Sequence, residues 1–186
     1  MILAGLLISI ACMAYRACGD HILGSVAFSV GLILVLFLGA DLFTGKVGYA
    51  KTPGDVASVV KMLVWNTAAA VWMGFLFPGG NVPDKLSKPI WEAFGSAVLC
   101  GVLVYAAVEG WRRTGQWIAI AAPTATFVLI GGEHCIADAF WLSAGYQWSW
   151  YGLAWLCVVI VGNVVGAKIA NAAIEKWKKV EQYESF

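Results

Sequence analysis

Apolar residues fall into six long blocks along this chain, at about 1–15, 22–40, 56–77, 91–109, 116–143 and 151–173, joined by short polar links. A helix crossing about 30 Å of hydrocarbon needs about 20 residues. Four of the blocks have that length. The first is short, and the fifth is long and interrupted at Gly131-Gly132-Glu133-His134. The second closes on LGADLFTGK, where Gly39, Asp41 and Gly45 break a helix that otherwise continues as apolar sequence. The pattern predicts an all-α membrane protein of six spans, with residues 1–173 as one transmembrane domain and 174–186 as a short tail.

The blocks also repeat, three and three. Block two breaks at GADLFTG and block five at GGEHCIA. Block three then carries WNTAAA (65–70) and block six carries GNVVGA (162–167), each an Asn followed three residues later by a small residue, Ala69 or Gly166. An odd number of spans per half makes the halves run in opposite senses across a bilayer. Folds of this kind place their substrate site where the broken helices meet. Backbone freed at a break finds no partner in lipid, so the breaks have to face protein or a water-filled cavity.

Composition agrees with this picture. The chain is 61% hydrophobic and 12% charged, where a soluble domain carries about a quarter charged residues. Net charge is +1, which gives no reason to expect a nucleic-acid partner. The five cysteines, Cys12, Cys18, Cys100, Cys135 and Cys157, have no CxxC spacing, so neither a disulfide framework nor a metal site is expected. The N-terminus lacks the basic segment of a signal peptide. It reads as a short first span starting at Met1, with no soluble domain before it.

Lys46, Lys51, Arg112, Arg113, Lys176, Lys178 and Lys179 fall on one side of the predicted spans, and Arg16, Lys85 and Lys88 on the other. The positive-inside rule then puts both termini in the cytoplasm. Trp91, Trp111, Trp117, Trp148, Trp150 and Trp177 lie near predicted helix ends, as an interfacial aromatic belt would.

Within this apolar chain, IGGEHCIADAF (130–140) concentrates Glu133, His134 and Asp138. Ionisable groups at membrane depth are costly and mark a polar cavity or pathway. Together with LFTG (42–45), KLSKPIWEAFGSAVLCG (85–101) and GNVVGA (162–167), this stretch resembles the formate/nitrite transporter family of pentameric weak-acid channels, over about residues 4–173. The resemblance implies an aquaporin-like protomer in the inner membrane of a prokaryote, assembled as a homopentamer in the lipid bilayer. It would pass a small monovalent anion such as formate, nitrite or hydrosulfide together with a proton, with no cofactor and no catalysis.

The resemblance also implies roles for particular residues. His134 would be the central pore histidine, with Thr44 as its hydrogen-bonding neighbour and Lys85 as the vestibule lysine. Phe28, Leu32 and Phe127 would form an outer apolar constriction, and Leu42, Phe43 and Val104 an inner one. Asn66 and Asn163, with Asp41 and Glu133, would support the broken helices. Gly101 stands where formate channels often have a pore-facing Asn, Asp41 where a Glu is common, and Asp138 where an Asn is common. Asp138 is expected to face a cytoplasmic vestibule or a subunit contact, and His21 the surface. The amphipathic helix usual before the first span is missing.

A bare carboxylate costs many kcal/mol more than its neutral acid in an apolar passage. A lysine that concentrates the anion and an imidazole that assists its protonation both lower that barrier. The alternatives are a neutral-solute channel, although paired Asn-Pro-Ala motifs are absent, and a haem-binding redox subunit using His21 and His134.

Overall fold

The computed structural model describes residues 1–184. Among these the chain forms eight α-helices: α1 (Ile2–Cys18), α2 (His21–Phe37), α3 (Phe43–Lys46), α4 (Pro53–Leu76), α5 (Ile90–Thr114), α6 (Ile118–Leu129), α7 (Cys135–Ala144) and α8 (Trp150–Glu184). Short 3₁₀ turns cover Val47–Tyr49 and Lys85–Ser87. By length and composition, α4, α5 and α8 can each cross a membrane. The 24 residues of α4 rise about 36 Å, enough for about 30 Å of hydrocarbon. Its start is fixed by a reciprocal cap between Thr52 and Asp55 with Pro53 in the first turn.

The second and fifth apolar blocks are each two helices around a break, and the two breaks match bond for bond. Gly39 and Gly131 both adopt left-handed backbone, φ 62° and 73°. Each closes the helix before it. Leu38 N–H donates to Leu34 O, as Ile130 N–H does to Thr126 O. Two residues on, Ala40 N–H reaches Val35 O at 2.8 Å and Gly132 N–H reaches Phe127 O at 2.7 Å. This is the glycine-closed helix end that satisfies carbonyls no longer paired in the helix. The chain then runs extended to Leu42 and to His134, the residues that precede α3 and α7.

An asparagine serves each break. Asn66 Oδ1 accepts from Phe43 N–H at 2.8 Å, while its amide donates to Asp41 O at 3.0 Å and to Met1 O at 2.6 Å. Asn163 Oδ1 accepts from Cys135 N–H at 3.0 Å, while its amide donates to Glu133 O at 2.8 Å and Ala97 O at 2.9 Å. Both asparagines are fully buried. The repeat legible in WNTAAA and GNVVGA is therefore a repeat of backbone satisfaction.

Gly101 belongs to the same repeat, which corrects the expectation that it faces a pore. A Cβ on Gly101 would lie 2.4 Å from Asn163 O, and one on Gly5 would lie 2.3 Å from Asn66 O. Both glycines let two helices approach at the asparagine that serves the break. Gly101→Asn is expected to destabilise the protein by about 1–3 kcal/mol, the scale of overpacking, because α5 and α8 must separate. Thermal unfolding in detergent would show this as a lowered midpoint. A wild-type midpoint would remove the packing role.

The tail also differs from the expectation. The helix of the sixth block does not stop near 173 but continues as α8 to Glu184. The extension has a purpose at this end of the molecule. Lys178 reaches the buried Glu109 at 2.7 Å, beside Arg113 at 3.1 Å and the Tyr49 hydroxyl at 2.9 Å.

Candidate functional site

The two breaks meet at one hydrogen bond. Thr44, in α3 of the first half, and His134, at the start of α7 in the second, join through Oγ1 and Nε2 at 2.8 Å. Thr44 is 1% exposed and His134 3%. The other ring nitrogen, Nδ1, accepts from Ala137 N–H at 3.3 Å and so caps α7. A backbone amide can only donate, so this bond assigns the neutral ring with its proton on Nε2, pointing at Thr44 Oγ1. The Thr44 hydroxyl then accepts from the ring and has its own proton free to donate.

Apolar side chains are buried around this pair. On one side, the rings of Phe28 and Phe127 meet edge to face at 5.8 Å, and Phe127 stacks on the His134 ring at 5.9 Å. Leu32 is buried with them. On the other side, Leu42, Phe43 and Val104 are all buried. Leu42 occupies in the first break the position that His134 holds in the second, so the repeat places one polar and one apolar residue at equivalent points.

A funnel of about 260 Å³ opens beyond Phe28 and Phe127, and His134 reaches its base. Lys85 projects into it from its 3₁₀ turn. Its Nζ binds Glu133 Oε2 at 2.6 Å and Asp138 Oδ1 at 2.9 Å. Lys88 binds the second oxygen of Glu133 and the Gly131 carbonyl, the latter at 2.8 Å. A second cavity, of about 340 Å³, opens at the opposite end beside Lys46, Tyr49 and Arg112.

Several expectations change here. Glu133 and Asp41 do support the breaks, but through their carbonyls, which accept from Asn163 and Asn66. Their carboxylates go elsewhere, Glu133 to the two lysines and Asp41 to Lys46. Asp138 lies in the Lys85 funnel, ion-paired to Lys85. His21 is at the funnel rim, with Nε2 donating to Leu129 O at 3.0 Å and Nδ1 accepting from Tyr15 at 2.8 Å. Both nitrogens of His21 and of His134 are engaged in hydrogen bonds within the protein.

Lys88 and Tyr15 are the site residues that sequence reasoning missed. The paired lysines of KLSK were the available signal for Lys88. Tyr15 carried none, because an aromatic at a helix end reads as packing.

The formate/nitrite transporter family model matches residues 1–177. The formate channel BtFdhC of Bacillus thuringiensis is 31% identical over 180 residues, covering 78% of this chain and 68% of that protein. A probable formate transporter of Methanothermobacter thermautotrophicus is 26% identical over 194 residues, covering 79% of this chain and 71% of the relative. The formate channel FocA of Haemophilus influenzae is 26% identical, and the match covers 67% of this chain and 54% of that protein. Among solved structures, an FNT family ion channel superposes with TM-score 0.85 at 18% identity, over 95% of this chain and 87% of its own. A pentameric formate channel with formate bound superposes with TM-score 0.78 at 23% identity, over 98% of this chain and 94% of its own. With a family match over nearly its whole length and broken helices meeting at a buried His–Thr pair, this chain belongs to the formate/nitrite transporter family.

Proposed function

We propose that this protein is a membrane channel, linked to proton movement, for formate or a similar small monovalent weak-acid anion such as nitrite or hydrosulfide. The observation that carries the reading is the buried His134–Thr44 pair, set among apolar side chains and beneath a lysine-bearing funnel. An anion entering the funnel meets the Lys85 ammonium, whose field raises its local concentration. The closure at Phe28, Leu32 and Phe127 admits the neutral acid at far lower cost than the anion. The Thr44 hydroxyl, accepting from His134 Nε2–H, donates a hydrogen bond to whichever form arrives. His134 thus assists protonation by sustaining a hydrogen-bonded path at the centre of the passage.

In this reading the protein sits in the inner membrane of a prokaryote, with residues 1–173 and the start of the tail crossing the bilayer and both termini in the cytoplasm. Exposed apolar side chains such as Trp72 (59%), Trp91 (71%) and Leu99 (54%) supply surface for lipid or for neighbouring protomers. The pentameric neighbour supports a homopentamer in which each protomer holds its own pore.

The test is uptake into proteoliposomes at acidic and neutral external pH. The wild type is expected to take up formate saturably. His134→Ala is expected to lower that uptake about 10²-fold or more, the scale of lost proton-transfer assistance. Thr44→Val is expected to fall in between. Folded protein that passes none of formate, nitrite or hydrosulfide would overturn the reading in favour of neutral solutes.

A further inference from the structure

Charge balance in the funnel turns on Asp138. Glu133 has two ammonium partners, Lys85 and Lys88. Asp138 has only a share of Lys85, through Oδ1. Its second oxygen, Oδ2, has no hydrogen-bond partner although the residue is 1% exposed and lines the funnel. A buried acceptor without a partner is costly, and a carboxylate in that position is costlier than a neutral carboxyl.

The other charged group facing Asp138 is the Glu133 carboxylate, which shares the Lys85 ammonium with it and, as a second acceptor, favours a proton between them. α1 brings the buried thiol of Cys12, and α5 that of Cys100, within electrostatic range of Asp138. On α7 itself, Cys135 is likewise a buried thiol. On α4 and α8 the buried amides of Asn66 and Asn163 are spent on the breaks, and the buried Thr67 hydroxyl of α4 has no partner among the described residues. Tyr15, His21 and Asp84 line the funnel farther out. His134, one turn before Asp138, has one nitrogen in the α7 cap and the other on Thr44. A proton on His134 Nδ1 would break that cap.

We propose that Asp138 is the proton-binding residue of the funnel, taking up a proton at Oδ2 as the anion arrives and passing it to the anion. The inference rests on the anion-pore reading above. With Asp138 ionised, the buried charges at the funnel base cancel, Lys85 and Lys88 against Glu133 and Asp138, while Asp84 lies exposed at the mouth, so an anion is held weakly. Protonation of Asp138 leaves one unbalanced ammonium charge, and the anion binds beside Lys85. The O–H bond at Oδ2 then breaks as an O–H bond forms on the anion. Asp138 returns to carboxylate and the neutral acid moves past Phe127. Each cycle consumes one proton from the funnel side and changes nothing else in the protein. Binding and neutralisation are thereby one event, since the proton that creates the anion site also discharges it.

The experiment uses the full-length protein and Asp138→Asn, reconstituted and shown to be folded by size exclusion and thermal unfolding. Infrared difference spectra between acidic and neutral pH are expected to show a protonated-carboxyl band in the wild type. The band should be missing in Asp138→Asn, and isotope-labelled aspartate should shift it in the wild type. That last readout needs no substitution. Formate uptake is expected to rise on acidification in the wild type and to lose that rise in Asp138→Asn. A band that survives the substitution or ignores the label overturns the proposal, and so does a variant with wild-type pH dependence. If neither protein passes an anion, the pore reading fails, and the infrared band alone then decides whether Asp138 binds the proton.

Discussion

Asn163→Ala is expected to destabilise the protein by roughly 3–6 kcal/mol, on the scale of about 1–3 kcal/mol for each buried polar group left unpaired. The substitution strips the partner from Cys135 N–H, Glu133 O and Ala97 O together. None of these groups has water or lipid headgroup to turn to, since the residue sits fully buried between α5, α7 and α8. The lower end of the range applies if the unfolded chain in a membrane finds other partners for the same groups. The matching variant, Asn66→Ala, should cost somewhat less. Its third acceptor is the carbonyl of Met1, a residue 37% exposed, and that carbonyl keeps its bond from Ala4 N–H at 3.2 Å. Thermal unfolding of the two variants in detergent checks both the size and the order. Equal, wild-type midpoints would mean that the breaks are held by packing and that the asparagines are incidental.

The second large effect belongs to Lys85→Met. Lys85 is 15% exposed and, among the described residues, is the only ammonium on Asp138. Removing one partner of a buried ion pair costs about 3–5 kcal/mol when the other charge is left behind. Here Asp138 can escape part of that cost by taking up a proton. Function has no such escape, because the attractive field of the funnel is gone, and formate uptake is expected to fall about 10–10³-fold. The double variant Lys85→Met/Asp138→Asn separates the two consequences. It should recover most of the lost stability, since no unpaired carboxylate remains, and recover none of the lost uptake. Restored uptake in the double variant would show that Lys85 acts only by neutralising Asp138, and would remove its role in anion capture.

Much of this architecture was legible in the residues. The six apolar blocks located the helices because burial in lipid demands continuous apolar sequence, and the two breaks announced themselves through Gly39 and Gly131. The asparagines of WNTAAA and GNVVGA marked a repeat, and the resemblance assigned them to the breaks, where each amide both donates and accepts. His134 and Thr44 were paired through the resemblance, and the 2.8 Å contact agrees.

Other features depended on distances that one-dimensional sequence does not contain. Gly101 read as a site position only through the resemblance, which puts a pore-facing Asn there. Which way its missing side chain would point is set by the rotation of α5 against α8, and that rotation aims it at Asn163 O, 2.4 Å away. Glu133 read as a support for free backbone, and the carbonyl of the same residue took that role while the carboxylate turned to Lys85 and Lys88. The contact of Asp138 with Lys85 was not legible, because the chain folds back at the break and carries α7 beside a lysine 53 positions earlier in the sequence. Sequence by itself therefore determined the helices, their breaks and the polar residues that serve them, since these follow from local backbone demands in an apolar medium. Tertiary structure alone decided which charges meet and which oxygen is left without a partner, because Coulomb energy and hydrogen bonding depend on separations of a few ångströms between residues far apart in the chain.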